Sequence, residues 1–117
     1  MRATVLIVDD HEDFRASAAA LLEAEGFAVV GGAADGVAAI DAIERLRPEV
    51  VLLDIQLHDV DGFTVAEQLA AAPDPPTVIL ISGREASAYG PRLEAAQARG
   101  FIPKRKLSGA AVAALLG

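Results

Sequence analysis

Cysteine and tryptophan are absent, and aromatic residues make up only 4% of the 117 positions. Without cysteine there are no disulfides and no thiolate metal sites, a composition in keeping with the reducing cytoplasm. With so few rings, burial must come from Val, Ile, Leu and a large share of Ala, and the alanine points to helices packed closely on an aliphatic layer. Basic residues are scarce too: 10 Lys and Arg against 17 Asp and Glu give a formal net charge of -7. A surface that neutralises phosphates needs a clustered basic footprint, so no direct nucleic-acid binding is expected. Long hydrophobic runs are also missing. The apolar stretches reach about five to seven residues, well short of the roughly 18 of a membrane span. An acid pair follows the first of them where a signal peptide would carry small residues. The reading is a soluble, unprocessed, cytoplasmic protein with no membrane partner.

What is present suits a folded core. Hydrophobic residues make up 53% and the mean hydropathy is +0.38, which excludes disorder. The length is that of a single domain over residues 1–117. Aliphatic runs occur at Val5 to Val8, Phe27 to Val30, Val50 to Leu53 and Val78 to Ile81, with a weaker one at Phe101-Ile102. Consecutive apolar, β-branched positions predict strands covered on both faces. Between them lie helical periodicities: Phe14, Ala18, Leu21 and Leu22; then Val37, Ile40, Ile43 and Leu46; then Phe63, Ala66, Leu69 and Ala70. Strand and helix alternate, which predicts a doubly wound α/β fold with a parallel sheet.

Punctuation sets the boundaries. Gly26 reads as the residue past the first helix, Pro48 as the stop of the second, and Asp61 as the N-cap of the third. Residues 72–76 form a proline-rich loop. Between Glu85 and Arg99, Tyr89-Gly90-Pro91 is expected to delay or break a helix. A short terminal helix is expected over Leu107 to Leu116.

The chemistry collects where strands end. The first ends in Asp9-Asp10, the third in Asp54, the fourth in Ser82 and the fifth in Pro103-Lys104. In open parallel sheets the carboxyl ends of strands line the functional crevice, so three carboxylates, a hydroxyl and an ammonium converge there. Two like charges about 4 Å apart repel by roughly 4 kcal/mol at an effective dielectric near 20. Mg²⁺ suits such a site because it takes a few carboxylates, water and phosphate oxygen. With Lys104 and Ser82 to hold oxygens and one carboxylate to attack, this is equipment for gripping a phosphoryl group.

Each residue also has a plainer reading. Asp9-Asp10 can cap a helix, Asp54 can be a loop carboxylate, Ser82-Gly83 a turn, and Lys104-Arg105-Lys106 a solvated face. Phe101 reads equally as core, and Tyr89 as cover for an apolar edge. His11 is expected to be exposed at a helix start. Two isolated histidines, His11 and His58, do not make a zinc site.

Taken together and in order, Asp9-Asp10, Asp54, Ser82 and Lys104 resemble the receiver domains of bacterial two-component response regulators, over essentially the whole chain. The resemblance implies a flavodoxin-like fold: five parallel strands in the order 2-1-3-4-5, flanked by five helices. It implies that Asp54 is the phosphoacceptor, and that Asp10, Asp54 and the backbone carbonyl of Gln56 ligate Mg²⁺ with Asp9 helping through water. Lys104 would pair with phosphoryl oxygens, Ser82 would be the switch hydroxyl, and Phe101 would hold the aromatic switch position. Gln56 and Arg84 would tune the lifetime of the acyl phosphate. The implied partners are a histidine kinase or phosphotransfer protein, an unknown output domain or protein, and a homodimer on phosphorylation. Its activity would be self-directed phosphotransfer and autodephosphorylation rather than turnover of a free substrate.

The sequence departs from the family pattern at four places. His58 stands where a proline is usual, Arg105 follows Lys104 where many members have a proline, Ser82 replaces the commoner threonine, and Phe101 has no hydroxyl. Two other readings compete. One is a phosphorylation-independent interaction module of the same fold, which the intact acidic set opposes. The other is a Mg²⁺-dependent phosphohydrolase, opposed by Gln56 in place of a second acid and by the lack of a lid.

Overall fold

The computed structural model describes residues 2–117. In chain order its strands are β1 Thr4–Val8, β2 Ala28–Ala33, β3 Val50–Asp54, β4 Thr77–Ser82 and β5 Gly100–Pro103. Its helices are α1 Glu12–Ala24, α2 Gly36–Leu46, α3 Gly62–Ala70, α4 Pro91–Ala95 and α5 Gly109–Leu116. The strands form one parallel sheet in the order β2-β1-β3-β4-β5, the order implied by the resemblance.

The central strands are aliphatic at every position because both faces are covered, and their alternation divides one run into two cores. Leu6, Val8, Val51, Leu53, Val78 and Leu80 point to one side, with Ala39 and Ala42 of α2 and Phe63, Val65 and Leu69 of α3. Val5, Ile7, Val50, Leu52, Ile79 and Ile81 point to the other, with Ala18 and Leu22 of α1 and Val112 of α5.

Several boundaries differ from the sequence reading. The second strand does not stop at Val30 but runs on to Ala33; its pairing with β1 jumps from Val5↔Val29 to Leu6↔Gly31, leaving Val30 as a bulge. Gly31 and Gly32 lie in this bulged edge strand, a position that accepts glycine.

In α2 the buried residues are Gly36, Ala39 and Ala42, one position earlier than the predicted stripe. Val37 is 74% exposed and Leu46 is 37% exposed, while Ile40 and Ile43 pack at the margin. Small residues win that face because the helix starts against the loop before α3: a Cβ on Gly36 would stand 2.4 Å from Val60 Cγ1. In the same way Leu21 of α1 and Ala70 of α3 fall outside the buried stripes.

The predicted helix ends hold more closely. Gly26 follows the C-cap of α1 with φ of 98°, the left-handed conformation that glycine adopts without strain. Asp61 caps α3, accepting from the Thr64 N–H at 2.9 Å. Arg47, with φ of 49°, closes α2 just ahead of Pro48. The stretch from Glu85 is a single 3-10 turn, Ala86–Ala88, followed by α4. Pro91 sits in the first turn of α4 and so starts a helix, where its missing N–H costs nothing. The terminal helix starts two residues later than predicted: Ser108 caps it, accepting from Ala111 N at 3.0 Å.

Among the described residues no helix is long and apolar enough to cross a membrane.

Candidate functional site

The parallel register brings the polar residues to one edge. Leu53 pairs with Val8 and Asp54 with Ile81, and Ser82 pairs with Pro103. Asp9, Asp54 and Ser82 are therefore neighbours across three strand ends, with Lys104 following the fourth. These are also the buried polar residues of the fold: Asp9 is 0%, Asp54 2% and Ser82 0% exposed.

Lys104 is the counter-charge. Its Nζ lies 2.5 Å from Asp9 Oδ2 and 3.3 Å from Asp54 Oδ2, with the Phe14 ring beneath it at 4.6 Å from the centroid. The two carboxyls respond differently. Burial pushes Asp54 up to about 6, aided by the Asp9 charge and only partly offset by the Gln56 N–H and Lys104. Burial opposes ionisation of Asp9 as well, but Lys104 and two bonds from His11 outweigh it and hold Asp9 below the usual range. Lys104 itself is desolvated, yet the two carboxylates raise it. The site thus contains one firmly ionised acid and one that ionises near neutrality.

Backbone donors fix both carboxylates. The Gln56 N–H donates to Asp54 Oδ1 at 3.1 Å, and the His11 N–H donates to Asp9 Oδ1 at 2.8 Å. Arg15, one turn into α1, donates from Nη1 to the Asp9 carbonyl at 2.6 Å. The loop after β3 returns tightly beneath Asp54: the Gly62 N–H donates to the Ile55 carbonyl at 2.7 Å. A Cβ on Gly62 would stand 2.4 Å from the Asp54 carbonyl oxygen, so this close approach requires glycine.

Asp10 is bracketed by histidines. His11 Nδ1 lies 2.8 Å from its Oδ1, and His58 Nε2 lies 3.0 Å from its Oδ2. One ligand atom from each of Asp9, Asp10, His11 and Asp54 falls within 4.8 Å of the others. Asp9 Oδ2 and Asp10 Oδ1 are buried with no partner other than the Lys104 ammonium and the His11 imidazole that face them. Oxygen atoms in that condition fit a divalent cation, and the cluster could hold one.

Ser82 is already engaged. Its Oγ is 2.5 Å from the Tyr89 hydroxyl and accepts from the Arg84 N–H at 3.1 Å. The Tyr89 ring stands edge-on between Phe63, at 5.8 Å and 70°, and Phe101, at 6.1 Å and 64°. Phe101 is half-buried and packs against the α2–α3 core. The 3-10 turn carrying Tyr89 is tied down by Arg105, whose Nη2 lies 2.5 Å from Glu85 Oε2.

Sequence reasoning placed Asp9, Asp10, Asp54, Ser82 and Lys104 at one site, and the structure brings them together. Phe101 joins them only through Tyr89. Gln56 and Arg84 are exposed at the rim and reach the site by their backbone N–H groups. Three participants went unassigned: Tyr89, His11 and His58. The signals were faint, namely a single tyrosine in the chain and a histidine at the usual proline position.

A hollow of about 660 Å³ lies at the opposite end of the sheet, lined by Arg47, Pro48, Pro73 and Pro76 among others.

The profile of the response regulator receiver domain matches residues 5–115, and the chain belongs to that family. A putative transcriptional regulator of Pseudomonas aeruginosa is 34% identical over 102 residues, covering 87% of this chain and 49% of the relative. A protein-glutamate methylesterase/protein-glutamine glutaminase of Alkalilimnicola ehrlichii is 35% identical over 108 residues, 90% of this chain and 27% of the relative. Among solved structures, the signal receiver domain of the putative response regulator NarL from Mycobacterium tuberculosis superposes with a TM-score of 0.86 at 30% identity, covering 99% of this chain and 98% of that one. The chain spans about half or less of the length of these two sequence relatives.

Proposed function

We propose that this receiver accepts a phosphoryl group on Asp54 from a phosphohistidine of a histidine kinase or phosphotransfer protein. The observation that supports it most is Asp54 itself. It is a buried carboxylate fixed by the Gln56 N–H, facing Lys104 and adjoining Asp9 and Asp10. An Asp54 oxygen attacks phosphorus, the phosphorus–nitrogen bond breaks, and the imidazole leaves with a proton, so an acyl phosphate replaces a phosphoramidate.

Catalysis of such a step is chiefly positioning and charge neutralisation. Mg²⁺, held by Asp10, Asp54 and the Gln56 carbonyl with Asp9 through water, would neutralise the carboxylates and the phosphoryl oxygens. Lys104, which pairs with Asp54 here, would pair with a phosphoryl oxygen once Asp54 is modified. Ser82 donates to another oxygen once it releases Tyr89, and Phe101 repacks as Tyr89 moves. That displacement alters the α4–β5 surface, which an output domain or protein reads, or through which two copies pair. Gln56 and Arg84, at the rim, govern access of the hydrolytic water and hence the lifetime. The reaction is self-directed and belongs to a cytoplasmic relay.

The test is incubation with Mg²⁺ and acetyl phosphate, read by intact mass. The expected result is gain of one phosphoryl group by the native chain and none by Asp54→Asn. Equal labelling of both would overturn the assignment of Asp54. An unmodified native chain whose partner binding ignores Mg²⁺ and Asp54→Asn would instead establish the phosphorylation-independent module.

A further inference from the structure

The loop between β3 and α3, residues 55–61, follows Asp54 directly, carries Gln56 and contains no proline to restrain it. Backbone bonds hold its two ends: the Ile55 N–H donates to the Ile81 carbonyl at 3.0 Å, and the Gly62 N–H to the Ile55 carbonyl at 2.7 Å. Between those ends Asp59 reaches across to another element. Its Oδ1 accepts from the Gly36 N–H at 2.9 Å and its Oδ2 from the Val37 N–H at 3.1 Å.

These donors belong to the first turn of α2, where N–H groups have no partner within the helix. The N-cap, Asp35, serves the Ala38 N–H at 2.8 Å, and Asp59 serves the other two. A carboxylate is favoured at that end of a helix, and the bonds, that from Gly36 foremost, hold the Asp59 carboxyl below the usual range. Val60 follows into the same contact, so close to Gly36 that a Cβ there would stand 2.4 Å from its Cγ1. The anchor is firm, because Gly36, Ala39 and Ala42 are buried.

We infer that Asp59 is a positioning residue: by pinning the middle of this loop to α2 it presets the Gln56 carbonyl and so raises the affinity for Mg²⁺ without touching the ion. This role rests on the reading of Asp54 as the phosphoacceptor with Gln56 among the Mg²⁺ ligands. A loose loop must be ordered when the ion binds, and that lost freedom weakens binding. A loop tied to α2 has lost it already on folding. Mg²⁺ also demands near-ideal octahedral geometry, so a small displacement of one oxygen is felt. Once the ion is bound the loop is ordered with or without Asp59, so the rate at saturating Mg²⁺ should change little.

Two plainer roles make different predictions. A mere cap of α2 would affect stability and leave Mg²⁺ affinity alone. A remote negative charge would be lost equally in Asp59→Asn and Asp59→Ala, and would be untouched by a change on α2. Val37→Pro removes one of the two donors while keeping the Asp59 charge. Proline is accepted in the first turn of a helix, and Val37 is 74% exposed, so little packing is lost.

The experiment titrates the full chain with Mg²⁺ by calorimetry and follows acetyl phosphate labelling by intact mass across the same Mg²⁺ range. Asp59→Ala is expected to weaken Mg²⁺ binding about tenfold while the labelling rate at saturating Mg²⁺ stays within about twofold. Asp59→Asn and Val37→Pro, each keeping one of the two bonds, should weaken it about threefold, and Val37→Ala should match the native chain. Unchanged Mg²⁺ affinity in Asp59→Ala would overturn the inference, as would a loss in the Asp59 variants that Val37→Pro does not share. Urea unfolding checks the fold; if Asp59→Ala is not folded, Asp59→Asn and Val37→Pro carry the comparison. If the native chain labels on Asp54 and Asp59→Ala binds Mg²⁺ as tightly, this inference falls and the phosphoacceptor reading stands. If the native chain neither binds Mg²⁺ nor labels, both fall.

Discussion

The Tyr89 hydroxyl lies 2.5 Å from Ser82 Oγ, so the hydroxyl at the end of β4 is held by a ring that also separates Phe63 from Phe101. The Ser82 hydroxyl and the Phe63–Tyr89–Phe101 aromatic cluster are thereby one mechanical unit. Moving Ser82 toward Asp54 breaks the bond to Tyr89 and loosens both edge-on contacts.

Tyr89 is the one tyrosine and the chain has no tryptophan, so intrinsic fluorescence reports this unit alone. Beryllofluoride with Mg²⁺ is expected to change the tyrosine emission of the native chain, and Asp54→Asn to abolish the response. Tyr89→Phe should cost about 1 kcal/mol in urea unfolding and favour the activated form. Unchanged emission with labelling confirmed by mass would show that Ser82 does not leave Tyr89.

Asp54 gives the metal-free protein a specific pH signature. Its carboxyl is raised to about 6 by burial, so between about 4 and 6 the folded state binds more protons than the unfolded, whose carboxyl titrates near 3.9. The Asp54 contribution to stability therefore falls as pH rises through that window. Asp54→Asn should be more stable than the native chain by up to about 3 kcal/mol at pH 7, with the difference closing near pH 4. Urea titrations in EDTA at the two pH values check it, and a pH-independent difference would contradict it.

Removing Lys104 should do the reverse at neutral pH. With Lys104→Met two buried carboxylates lose their counter-charge, at a cost of about 3 kcal/mol. The cost should shrink toward pH 5 as Asp54 takes up a proton, and also when Mg²⁺ is added at pH 8. Thermal unfolding with and without Mg²⁺ distinguishes this from simple loss of packing on Phe14, which neither acid nor Mg²⁺ would restore.

Two glycines beside the site should behave oppositely. Gly62→Ala drives a Cβ against the Asp54 carbonyl oxygen and within 2.7 Å of Ile55 Cα, atoms that cannot move aside. It should cost about 2 kcal/mol and slow acetyl phosphate labelling by displacing Asp54. Nothing lies within 4 Å of a Cβ on Gly83, so Gly83→Ala should leave both measurements nearly unchanged. Equal effects at the two positions would refute the close-approach argument.

The legible and illegible residues differ in a physical way. Asp9, Asp54, Ser82 and Lys104 were readable because each follows an aliphatic run, and a parallel sheet brings all such run ends to the same edge. Val37 and Leu46 misled because apolar periodicity marks a candidate face, whereas in α2 the sheet accepts the one with the smallest residues, Gly36, Ala39 and Ala42. Tyr89, His11 and His58 left no pattern because they lie on turns or at a helix entrance, where the chain path is set by distant contacts such as Arg105 with Glu85.

The order of elements, the two-sided burial of the central strands and the edge at which the acids gather follow from the sequence by itself. Alternating helical and aliphatic runs admit few other packings. Tertiary structure alone decided the pairing of Lys104 with Asp9 and Asp54, the capture of Ser82 by Tyr89 and the seating of Asp10 between two imidazoles. Those depend on separations of about 3 Å between side chains carried by different loops and strand ends, and such distances exist only once the sheet has closed and the loops have settled on it.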